Sequence, residues 1–129
     1  MKLSEPLAAT FLLLCARDAG AHYFEFCDLE GDITGVNEHP KGAYALTVNV
    51  TGASRAKQHE GHRNDSDCRD YEGKPLAVTF TASEFSVRHP ALKDHISFSH
   101  SVISIRGDDD HTNTYVHSRS PVLTKQTGR

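Results

Sequence analysis

No basic stripe runs through this sequence. Its 14 lysines and arginines are interspersed among 17 acidic residues, for a formal charge of -3. Gripping a phosphate backbone takes clustered cations, so nucleic acid is not an expected partner. No apolar run approaches the roughly 20 residues a helix needs to cross a bilayer. There is no nucleophile elbow, no phosphate-cradling glycine loop and no paired-carboxylate signal, so catalysis has little support and a small secreted hydrolase is the third choice. Internal repeats and coiled-coil heptads are absent, which excludes solenoids and zippers. Cysteine is scarce, at three, and three is an odd number for an exported chain.

What is present begins at the N-terminus. Lys2 supplies a short basic start, Leu7 to Leu14 an apolar core, and Ala19-Gly20-Ala21 a small-x-small cleavage signature. That order predicts a secretory signal peptide over 1–21, cut after Ala21, and a secreted or periplasmic protein with no stable membrane anchor after cleavage. Glu5 and Arg17-Asp18 fit it less well, and the alternative is an amphipathic first helix retained on the protein. Leu14 stands before Cys15 where a lipoprotein signal wants a small residue. Cleavage would leave Cys27 and Cys68 as one even pair in an oxidising compartment. A bridge between them would close about 40 residues and add up to ~4 kcal/mol.

The remaining 108 or so residues suit one domain. In His22 to Val36, Cys27, Leu29 and Ile33 alternate with Asp28, Glu30, Asp32 and Thr34, the period-two pattern of a strand with one wet face. Phe24 and Phe26 fall on the wet parity, which predicts a twist or a cover near the start. Gly31 and Gly35 predict a bulge or a bend. A turn at Asn37 to Gly42 leads into Ala43 to Thr51, the clearest strand, as an antiparallel partner. Gly52 to Lys74 is polar and aperiodic. Leu76 to Thr81 is a third strand. Ala82 to Lys93 has room for a helical turn, limited by His89-Pro90. Ile96 to Ile105 is a fourth strand whose parity changes, predicting a bulge or twist near Ser101. Thr112 to His117 is a candidate fifth, followed by a polar tail over 121–129.

Five strands, the first long and glycine-bent (CDLEGDITGV), with a long connection after the second and an irregular one after the third, resemble an OB-fold barrel over Tyr23 to Val116. The first strand is similar to those of exported OB-like domains. The resemblance implies an all-β, five-stranded antiparallel barrel over 22–120. An open antiparallel sandwich is the alternative. Neither architecture names an activity.

Several residues could carry chemistry. His59 and His62 stand three apart in the polar loop, a spacing that lets one turn of backbone present two imidazoles to copper or zinc, with Cys68 a further ligand only if unbridged. The same pair also fits a solvated loop in a chain with nine histidines. His22 becomes the first residue after cleavage and would offer an amine and an imidazole together, which resembles the copper brace of exported copper proteins. His100, on an inward parity, reads as a core histidine with one hydrogen-bond partner. His111 and His117 flank the fifth strand. Asp108-Asp109-Asp110 lacks a calcium-loop spacing. Arg106-Gly107-Asp108 spells an adhesion tripeptide, and Asn49 and Asn64 open glycosylation sequons. The row Asp28, Glu30, Asp32 reads as a wet face or a seat for a cationic partner. The expectation is a non-enzymatic binding domain for an unknown protein or small molecule, acting through the 52–74 loop or the acidic face. A metal-handling protein is the alternative.

Overall fold

The computed structural model describes residues 22–59, 61, 63–86, 88–107 and 110–124. The expected signal peptide and the last five residues of the tail lie outside them. Five strands, β1 (His22–His39), β2 (Ala43–Arg55), β3 (Pro75–Thr81), β4 (His95–Arg106) and β5 (Thr112–Thr124), form one antiparallel sheet in the order β3-β2-β1-β4-β5. Three short 3-10 turns, at Lys57–His59, Cys68–Tyr71 and Ala82–Glu84, punctuate the connections. The fold is all-β as expected. β3 and β5 are the two edges; they approach each other but form no ladder.

β1 organises the sheet because it is long enough to pair twice. Its residues from Cys27 to His39 pair with β2, and those from His22 to Asp32 pair with β4. Register shifts fall at Glu30/Gly31 and Ile33/Gly35, where the sequence predicted them. Gly31 is required there: a Cβ would sit 2.2 Å from the Asn49 carbonyl oxygen, closer than any side chain can approach backbone. Each extra residue bends the strand and raises its twist, turning one face of the sheet into a concave core.

That core is built from alternate residues of four strands. Leu29 and Ile33 meet Tyr44, Leu46, Val48 and Val50 of β2, Val78 and Phe80 of β3, and Ile96 and Phe98 of β4, all buried. Phe80 packs edge-on against Phe98 and Phe85, with ring centroids 5.6 Å apart in both cases, the arrangement aromatic quadrupoles favour. The connection from β3 to β4 is clasped by an ion pair. The Arg88 guanidinium donates to both oxygens of the buried Asp94 carboxylate at 2.6 and 3.0 Å.

Two expectations need correcting. The parity change in β4 is not a bulge near Ser101, because β4 pairs with β1 without interruption from His95 to Ile105. The register shift lies on the other side, between Ser97 and Ser99, and the extra residue belongs to β5. Ser120, at φ 59°, takes up the bend there. Ile103 and Ile105 are apolar on the outer parity because they stand opposite Phe24 and His22, forming a second apolar patch outside the core. β5 also continues through Thr124, and Leu123 packs against the core, so 121–124 are strand where a loose tail was expected.

Candidate functional site

β2 parts from β1 at the Cys27–Arg55 pair, which leaves the first residues of β1 with an open edge. Exposed edges invite unwanted pairing. The loop after β2 closes this one. Ala56 N–H donates to the Phe26 carbonyl at 3.0 Å and Asp65 N–H to the Phe24 carbonyl at 2.7 Å. Phe24 N–H returns a bond to the Asp65 carboxylate at 2.9 Å, and Asn64 Nδ2 donates to the Phe26 carbonyl at 2.7 Å. Arg63 holds Asp65 at 2.8 Å. These bonds, Arg63's first, lower the Asp65 pKa. A disulfide from Cys27 to Cys68 ties the far end of the loop to β1, as the cysteine count predicted.

The loop therefore forms one wall of a groove on the outer face. Phe26 points outward from β1, and His59 stacks on it with ring centroids 4.2 Å apart and planes 17° from parallel. Phe24 lies one step along at 6.4 Å, with the Arg63 guanidinium 5.5 Å from its ring centre. Ser101 and Ile103 of β4 and Arg119 of β5 complete a cavity of about 300 Å³ with Phe26, Gln58 and His59. Arg119 donates to His117 Nδ1 at 3.3 Å, and no carboxylate among the described residues pairs with it. The groove thus combines an aromatic floor, an aliphatic wall, hydroxyl and amide groups, and one cation without a counter-charge.

No known protein family, curated protein or solved structure matches this chain. Its chemistry must be read from its own residues.

A polar cluster on the inner face escaped the sequence reading. Glu25 is 6% exposed and accepts hydrogen bonds from the phenols of Tyr23, at 2.7 Å, and Tyr71. Burial, then the bond to Glu25, pushes the Tyr23 pKa up to about 12; the same two causes raise Tyr71. Tyr71 also packs edge-on against His100, centroids 5.5 Å apart. His100 is buried and shares a 2.7 Å hydrogen bond with Ser118, the single-partner arrangement expected of it, and burial lowers its pKa. The signal for Glu25 was its parity: it lies two residues before Cys27 on the inward side. A carboxylate cannot be buried without donors, and its donors come from 46 positions away as well as from next door.

The acidic row is engaged within the protein. Asp28 accepts from the Ser99 hydroxyl at 3.2 Å and Lys57 N–H at 3.3 Å. His95 bridges Asp32 at 3.1 Å and Glu30 at 3.3 Å. Burial alone would lower the His95 pKa, but the bonds and charges of Asp32 and Glu30 outweigh it and raise it. The described residues gather no group of three or more histidine, cysteine or carboxylate side chains able to hold a metal. His59 is stacked on Phe26, and the disulfide removes Cys68 as its co-ligand; His62 lies outside the described residues, as do Asp108 and Asp109. His111 and His117 are both exposed. Asn64 spends its amide on Phe26 and the Cys68 sulfur, whereas Asn49 is exposed on β2. No helix among the described residues is long and apolar enough to cross a membrane.

Proposed function

We propose that this chain is an exported, non-enzymatic binding domain that holds a small ligand in the outer groove between Phe26 and Arg119. The groove itself carries the reading. Its volume of about 300 Å³ is at the lower end of small-molecule sites, which join apolar walls to a few convergent polar groups. The Phe26 ring edge and Ile103 suit a flat apolar body, Gln58 and Ser101 suit polar substituents, and Arg119 suits an anionic group that would supply its missing counter-charge. The disulfide supports the exported setting, since such bonds persist where the surroundings are oxidising. It also fixes the wall that carries His59, so little ordering would be left for the ligand to drive. The strand order supports a barrel of the OB kind, because joining β3 to β5 would close the circuit.

The test is amide chemical-shift mapping of the chain from His22 onward against a panel of small ring-bearing carboxylates and their neutral amides. The expected result is shifts confined to Phe26, His59, Ser101 and Arg119, stronger for the acids and lost in Arg119→Gln. Shifts elsewhere, or none in the groove at millimolar probe, would retire the proposal.

A further inference from the structure

His22 carries an anomaly. Its Nδ1 is the one buried side-chain nitrogen or oxygen without a hydrogen-bond partner among the described residues. Such groups are rare in folded proteins, and each calls for an explanation, an absent ion among them. Nδ1 is also the ring nitrogen nearer the main chain. A metal bound to Nδ1 and to the same residue's backbone nitrogen closes a six-membered ring. While a residue precedes His22, that nitrogen is a protonated amide, which binds a metal only after giving up its proton. Cleavage after Ala21 would turn it into an amine, so processing would create the second donor.

We propose that, once its chain begins at His22, this protein binds one divalent copper ion through the His22 amine and Nδ1. The inference rests on the exported reading for the cleavage that frees the amine, and it is independent of the groove ligand. The residue is held in advance. His22 opens β1 opposite Ile105, its carbonyl accepts from Arg63 at 3.1 Å, and its ring lies 6.2 Å from that of Phe24. Holding a ligand in place lowers the ordering cost of binding. Arg63 would repel a cation, but Asp65, at 2.8 Å from it, offsets that charge. Two nitrogen donors favour copper over the other divalent first-row metals. Among the described residues no group of three or more histidine, cysteine or carboxylate side chains gathers there, so at least one position of a square-planar ion is left for water or an exchangeable ligand. The site is therefore open.

The probe is copper(II) alone, titrated into protein whose first residue has been established by N-terminal sequencing. One equivalent should bind with submicromolar affinity and give an electron paramagnetic resonance signal with nitrogen hyperfine structure. His22→Ala, and a chain acetylated at the His22 amine alone, should each weaken binding at least a hundredfold. His39→Ala, at the far end of β1, should leave it unchanged. The acetylated chain keeps every side chain, so a loss there reports the amine and not misfolding. Equal binding with and without the acetyl group, or no binding in the micromolar range, would overturn the proposal. A natural first residue other than His22 would instead sink the cleavage reading. The copper titration on a chain trimmed in vitro to His22 would still decide the chelate.

Discussion

Replacing both Cys27 and Cys68 with alanine should cost this protein a large part of its stability, and should do so unevenly. The bridge spans 41 positions, for which the chain-entropy relation gives about 4 kcal/mol at room temperature. Single domains hold only about 5–15 kcal/mol in total. With a urea slope of ~1–3 kcal/mol per molar, the midpoint should fall by roughly 2 M. The unevenness is the sharper claim. The bridge anchors the loop that closes the β1 edge, so hydrogen exchange should accelerate most at the Ala56 and Asp65 amides, which bond to Phe26 and Phe24. Amides in the middle of β2, such as Leu46, should lose protection only by the global amount. Urea denaturation and exchange mass spectrometry of the double variant would measure both. An unchanged midpoint would refute the entropy argument. A lower midpoint with uniform loss of protection would refute the idea that the bridge holds the loop.

Three further outcomes are expected. Gly31→Ala should destabilise by about 3 kcal/mol or more, since its Cβ meets backbone at 2.2 Å. Gly52→Ala should stay within about 1 kcal/mol of native, because the atom in its way is the exposed end of the Glu30 side chain, which can swing aside for little more than its 3.3 Å bond to His95; equal costs by chemical denaturation would contradict the close-approach argument. Tyr71→Phe removes one donor from the buried Glu25 and should cost about 1–3 kcal/mol; a neutral result would mean that water replaces the phenol. By NMR titration His95 should titrate above, and His100 below, the ordinary value of ~6.5. The raised His95 pKa contributes stability that is complete below the unfolded value and is lost as pH rises through the folded one. The lowered His100 pKa contributes stability that is complete above the unfolded value and erodes as pH falls toward the folded one. The reverse order of the two titrations would overturn both assignments.

The strands were legible in the amino-acid sequence because a half-buried strand must alternate, and β2, β3 and β1 from Cys27 onward do so. The glycine bulges were legible because Gly31 and Gly35 interrupt an otherwise regular pattern. The disulfide followed from counting: with Cys15 placed in a leader, only one pairing is left. Local pattern could not reach further, since parity tells which side a residue faces but not what stands there. Phe24 and Phe26 looked misplaced until the loop after β2 folded back over that edge and brought His59 onto Phe26. Ile103 looked like the mark of a bulge until its partner across the ladder proved to be Phe24. Glu25 carried no local sign of its burial beyond parity, because the phenol that makes that burial tolerable belongs to Tyr71. The groove draws on β1, β4, β5 and a loop, segments separated by up to ~90 positions; the sheet order makes the strands neighbours, and the edge hydrogen bonds and the disulfide bring the loop to them. Alternation and counting are properties of a chain. A site assembled across four segments exists only once register has been chosen, and register is set by the burial of all the strands together.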